Sequence, residues 1–294
     1  MSPQRTIQES QKCKGLGVRY GKLITLGIHP APPDTGVVFI RTDLEGKPNI
    51  KANIASVVDT RNATTIGSSE ATVSIVEHLL AAARGMGIDN LIVEVDGPEV
   101  PLMDGSAAPF IKIFRKARIV YQDRERTCIV IKKPVEFRDG DRMVRLEPLS
   151  KPRLRISYTI EYSDPFTLSQ SHEVEFTNGT FMREIGPART YGFVHEIDAL
   201  MRMGLIRGGS MDNAVVIGDS GVLNPEGLRF NNECVRHKIL DSIGDLSLLG
   251  KPVIGHLVAY KSGHSVNLQF LQKLLEDKDS WEIRPSSSRA PRIN

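Results

Sequence analysis

The chain has 294 residues, 40% of them hydrophobic and 25% charged, with a formal net charge of +3. That length exceeds what one hydrophobic core usually serves, so two domains of about 100–150 residues are expected in an ordinary soluble protein. A near-balanced charge with no long basic run argues against a nucleic-acid partner, and no segment approaches the roughly 18 consecutive apolar residues that span a bilayer.

The opening MSPQRTIQES has no apolar stretch resembling a signal peptide. Cys13, Cys128 and Cys234 are odd in number and widely spaced, which argues against a disulfide framework. A cytoplasmic location is the expectation, and nothing demands more than a monomer.

Residues 22–28 and 36–42 read as strands. The run TVSIVEHLLAAARGMG predicts a helix with a cap at Thr72 and a stop at Gly85 and Gly87. Residues 90–96 (NLIVEVD) follow as a buried strand, and Ser106 with Pro109 just inside opens a second helix through about Lys116. The polar stretch YQDRER at 121–126 breaks the pattern and marks the expected domain boundary. Strands resume at 127–137, 142–149 and 153–162; later come a helix at 232–249, a strand at 253–260 and a helix at about 264–276. Each half thus runs strands, helix, short strand, helix, which suggests two related α+β layers over residues 1–124 and 125–282, with 283–294 as a frayed tail.

In the first helix Glu77 and His78 are the only polar side chains of IVEHLLAAA. A carboxylate carried into such a site costs several kcal/mol unless it is paired, hydrogen-bonded or beside a metal. The plain alternative is a partly exposed helix with a surface Glu. In the later helix His237 and Asp241 are four residues apart and share a face, so imidazole and carboxylate can bind one ion; the alternative is a charged surface stripe. Asp245 lies one turn further along and can orient a neighbour, and His264 sits at a strand-to-helix turn. His29, His172, His195 and His256 show no partner spacing. Two histidines and one aspartate fill three positions of a tetrahedral zinc site and leave the fourth for water, which marks a catalytic site; iron(II) suits the same donors. Glu77, about 100° round the helix from His78, is placed as general base. Hydrolysis of an amide or ester is the expected class.

VSIVEHLLAA, PLMDGSAAPF, ARTYGF, RGGSMDNAVV, NPEGLRFNNE, VRHKILDSIGDL and AYKSGH resemble, in order and spacing, the UDP-3-O-acyl-N-acetylglucosamine deacetylases of lipid A synthesis, over about residues 5–275. The resemblance implies two α+β domains packed face to face with zinc between them, held by His78, His237 and Asp241. It also implies Glu77 as general base and His264 as a positively charged second catalytic group. Asp245 would then orient His264, Thr190 would help polarise the acetyl carbonyl, and Lys238 would meet the nucleotide phosphates. The substrate it implies is an acylated UDP-amino sugar, whose acyl chain would use an apolar passage around Phe193, Ile197, Leu200 to Ile206 and Gly209. One departure stands out: where the family usually has Gly-x-His-x-Gly, this chain reads Gly17-Val-Arg19-Tyr-Gly21, and arginine cannot serve as a neutral base. Two competing readings are a catalytically dead zinc or nucleotide-sugar sensor on the same scaffold and an amidohydrolase acting on a related sugar.

Overall fold

The computed structural model describes residues 2–162 and 169–286. In the first half, a five-stranded sheet runs in the order Gln11–Leu16, Leu23–Pro30, Leu91–Val95, Val37–Arg41, Asn49–Lys51. Only the pairing of Val37–Arg41 with Leu91–Val95 is parallel. Alternation does the sorting: Leu91, Val93 and Val95 are buried on one face of their strand while Ile92 and Glu94 are only partly covered.

The second half builds a seven-stranded sheet on Val253–Tyr260, which pairs antiparallel with Arg142–Glu147 and parallel with Thr127–Ile131 and Leu154–Glu161. Ser169–Glu175 extends it beyond Leu154–Glu161, and Val135–Asp139 lies beyond Arg142–Glu147. The stretch expected as one strand over 127–137 is therefore two, and Pro134, which cannot donate to a ladder, stands at the break.

Three further expectations are corrected. The polar residues at 121–126 belong largely to a strand, Ile119–Glu125, which pairs antiparallel with Pro3–Ile7; charged residues are common on such narrow, exposed ribbons. Ile283 to Pro285, assigned to a frayed tail, form the end of the strand Trp281–Pro285, which pairs with Thr127–Ile131. Residues 287–294 lie outside the described residues. Thr72 does not cap a helix: Thr72–Val73 pairs with Thr65–Gly67, and Ser74 N donates to Pro98 O. The β-branched run thus spends its hydrogen bonds on sheet partners before the helix starts.

The helices are α1 (Glu77–Met86), α2 (Ala108–Lys116), a single turn α3 (Asn178–Thr180), α4 (Val194–Arg202), α5 (Glu233–Ser247) and α6 (His264–Glu276). Ile75, a β-branched residue at φ 61°, turns the chain sharply into α1. Such a conformation costs about 1–3 kcal/mol and persists only where the surroundings over-determine it. At the other end Gly87 takes φ 75° and stops the helix, whereas Gly85 lies inside it, where a Cβ would sit 2.0 Å from the Phe181 ring. Ser106 Oγ accepts from Ala108 N at 3.1 Å, a bond to the first residue of α2 from two positions before it.

α1 packs along α5, with α2 beside α1 and α6 beside α5, so one continuous core joins both halves. The closest approach is at Gly244 of α5, where a Cβ would lie 2.2 Å from Glu77 O. Gly244→Ala should therefore lower stability by about 1–3 kcal/mol through this overlap, although alanine favours a helix by up to about 1 kcal/mol over glycine. Thermal unfolding checks this; a variant as stable as the parent would mean that the helices do not meet so closely.

Candidate active site

The crossing of α1 and α5 brings together residues from both halves of the chain. α1 supplies Glu77 and His78 from its first turn, and α5 supplies His237 and Asp241 from one face. One ligand atom each from His78, His237 and Asp241 lie within 4.8 Å of one another, and all three residues are buried. Asp241 Oδ1 stands 3.2 Å from His237 Nε2 and 3.6 Å from His78 Nε2, and it is a buried oxygen with no hydrogen-bond partner. His237 Nδ1 lies 3.1 Å from Ala188 O, which selects the tautomer whose Nε2 lone pair faces the cluster. Burial pushes the His237 imidazole down to about 3, so it stays neutral, as a metal ligand must. Two imidazoles and an orphaned carboxylate oxygen fit zinc or iron(II).

The other Asp241 oxygen accepts from Lys238 Nζ at 2.8 Å. Burial alone would raise the Asp241 carboxyl, but His237 and Lys238 outweigh it and hold it well below the usual carboxylate range. Burial alone would likewise lower the Lys238 amine, yet Asp241 raises it, so the ammonium is retained. Sequence reasoning gave Lys238 to a substrate contact; its tie to Asp241 is an additional bond.

Glu77 is buried, which raises its carboxyl against the counter-pull of His264 and His78. Its Oε2 accepts from Thr64 N at 3.1 Å, and its Oε1 lies 3.9 Å from His264 Nε2. His264 Nδ1 donates to Asp245 Oδ2 at 2.9 Å. Burial would favour the neutral ring of His264, but Asp245, Asp241 and Glu77 override it and push it up to about 9, leaving a cation whose Nε2 faces the cluster. Asn267 Nδ2 donates to the same Asp245 oxygen at 2.8 Å, and Thr64 Oγ1 donates to Asp245 Oδ1 at 2.7 Å.

Thr64 thus holds Glu77 with its backbone and Asp245 with its side chain. It was not found by sequence reasoning, because its partners lie 13 and 181 positions away and no local spacing announces them. Asn267, one turn into α6 after His264, carried a weak signal in its i,i+3 spacing.

The cluster lines a cavity of about 710 Å³. Thr190 is on its wall, placed by backbone bonds from its N to Gly105 O and from Val215 N to its own O. Ile197 and Leu200 of α4, with Leu205, Ile206 and Gly209 after it, form an apolar side of the same cavity. Phe193 does not line it: the ring is buried and packs on Tyr162, Tyr191 and His195. Phe193 is the buried residue that closes the strand Tyr191–Phe193, whereas Tyr191 at its start is only partly covered and lines the cavity. Arg19 lines the cavity rim and donates to Arg61 O at 3.0 Å.

Residues 4–276 match the family described as UDP-3-O-acyl N-acetylglycosamine deacetylase. The chain is 48% identical over 286 residues to a UDP-3-O-acyl-N-acetylglucosamine deacetylase of Myxococcus xanthus, covering 97% of this chain and 90% of that protein. Proteins of the same name from Acidithiobacillus ferrooxidans and Syntrophotalea carbinolica are 47% and 46% identical, over 99% and 98% of this chain and 96% and 92% of their own lengths.

Removing one of three ligands should cost the site its ion. His237→Ala is expected to lose stoichiometric metal by elemental analysis while the parent retains one equivalent; full metal content in the variant would disprove the assignment.

Proposed function

The chain belongs to the UDP-3-O-acyl N-acetylglycosamine deacetylase family and carries its amide-hydrolysing activity, and we propose that His78, His237 and Asp241 perform it by holding a zinc ion. The substrate is a UDP-3-O-acylated N-acetylglucosamine, which loses acetate to give the free amine, a step of lipid A synthesis. The observation that carries the metal reading is the buried, unpartnered Asp241 Oδ1 between two imidazole nitrogens.

When bound, zinc polarises the acetamide carbonyl and lowers the pKa of the attacking water. Glu77, whose burial raises its proton affinity, takes the proton of the water that adds to the carbonyl carbon. His264 presents a cationic Nε2–H to the developing oxyanion, or gives that proton to the leaving nitrogen as the carbon–nitrogen bond breaks. Asp245 and Thr64 act through it by fixing the ring. Thr190, on the cavity wall, donates to the acetyl oxygen. Lys238 keeps Asp241 ionised and faces the same cavity, where it meets the nucleotide phosphates.

The apolar side formed by Ile197, Leu200 and Ile206 accepts the 3-O-acyl chain, since each buried methylene contributes about 0.8 kcal/mol. Phe193 supports that side from behind through its ring contacts. In this reading residues 1–124 and 125–282 are two domains that close on the site. Among the described residues no helix is long and apolar enough to cross a membrane, and action as a cytoplasmic monomer is part of the same proposal.

Glu77→Ala should keep its metal and its fold yet release acetate about 10²–10⁴-fold more slowly, the usual range for a lost general base. Wild-type turnover in that variant would remove Glu77 from the role.

A further inference from the structure

The buried side of α6 consists of His264, Val266, Asn267, Phe270, Leu271 and Leu274, of which only His264 and Asn267 are polar. Asn267 precedes Phe270, Leu271 and Leu274 by three, four and seven positions, the spacing of a core-facing stripe. Packing alone would place an apolar side chain there. A carboxamide taken from water is destabilising unless its donors and acceptors are met, so its partners show what it is for.

Asn267 Nδ2 donates to Asp245 Oδ2 at 2.8 Å, and its Oδ1 accepts from Ser262 Oγ at 2.7 Å. The remaining contact of Nδ2, to Ser242 Oγ, is long at 3.5 Å. An ionised carboxylate can only accept, so the amide must turn its nitrogen to Asp245, and the Ser262 hydroxyl holds it that way round. Ser262 is anchored in turn, because its carbonyl accepts from Tyr158 Oη at 2.7 Å, on the strand Leu154–Glu161. A chain of hydrogen bonds thus runs from the second sheet through Ser262 and Asn267 to the carboxylate beside His264.

What that chain controls is the direction of the His264 ring. Its Nδ1 lies 2.9 Å from Asp245 Oδ2, while its Nε2 lies 3.9 Å from both Glu77 Oε1 and Asp241 Oδ2. Three carboxylates therefore compete for one imidazole. If Asp245 yields, the ring closes on Glu77 and Asp241 and leaves the place where the oxyanion forms. Thr64 Oγ1 holds one oxygen of Asp245 from the first half of the chain, and Asn267 holds the other from α6. Asn267 is not on the wall of the catalytic cavity, so its influence passes through Asp245.

We propose that Asn267 is a positioning residue of the deacetylation: its amide, oriented by Ser262, holds Asp245 against His264 Nδ1 and keeps Nε2 aimed at the reacting carbonyl and apart from Glu77. The proposal rests on the role given above to His264.

The test compares Asn267→Leu, His264→Ala and the double variant with wild type for acetate release, metal content and thermal unfolding. Leucine has nearly the shape of asparagine and suits the apolar stripe, so Asn267→Leu should keep one equivalent of metal and unfold cooperatively. Its kcat should fall about 10–100-fold with KM little changed, the usual cost of losing a residue that orients a functional ring. In the His264→Ala background the same substitution should cost nothing further, because residues that act as a unit are not additive. Ser262→Ala, which frees the amide to turn over, should lower kcat several-fold, again only while His264 is present. A wild-type kcat in Asn267→Leu, an equal fold loss with and without His264, or a raised KM at unchanged kcat would overturn the proposal. Should Asn267→Leu lose its metal or its fold, Ser262→Ala decides: a loss that depends on His264 supports the proposal and a wild-type kcat overturns it. Wild-type acetate release by His264→Ala would instead defeat the role of His264, and this proposal with it.

Discussion

The structure depends on the contact of α1 with α5 at Gly244. Because that position has no side chain, the backbone of Glu77 can lie against α5, and the first turn of one helix faces the middle of the other. Everything chemical follows from this approach. Neither helix alone carries a complete set of ligands, and a separation of one methyl group would move His78 away from His237 and Asp241. The strained turn at Ile75 serves the same end, since it aims the start of α1 into the seam.

Such a seam is electrostatically expensive. Among the described residues, the buried carboxylates of Glu77, Asp241 and Asp245 face the partly covered ammonium of Lys238 and the buried ring of His264 as counter-charges. Each is therefore tied to a partner: Asp241 to Lys238, Asp245 to His264, Asn267 and Thr64, and Glu77 to the Thr64 backbone. The exception is Asp241 Oδ1, which has no hydrogen-bond partner. Under the proposed assignment a divalent cation held by that oxygen and the two imidazoles would offset the excess negative charge and complete the network.

The parts legible in the sequence were those governed by local geometry. His237 and Asp241 share a face because four residues make about one turn, and α6 starts at His264 where the strand-to-helix turn was expected. The core strands followed from alternation. What stayed hidden was set by distant partners. Thr64 looks like any threonine until Asp245 arrives from the other half of the chain, and the 119–125 segment looks like a linker until Pro3–Ile7 pairs with it. Phe193, placed from its segment alone, is buried behind the cavity wall, because a segment's position beside a cavity does not say which way one ring points. The start of α1 was placed too early because helix-forming residues and β-branched ones are interleaved there, and the sheet claimed the latter.

The central claim is that one metal ion at the α1–α5 seam makes the chain a deacetylase. The most direct measurement is acetate release from a UDP-3-O-acylated N-acetylglucosamine before chelation, after exhaustive removal of metal, and after return of one equivalent of zinc. The account expects activity to vanish with the metal and to return with a single equivalent per chain. Undiminished acetate release from the metal-free protein would contradict it.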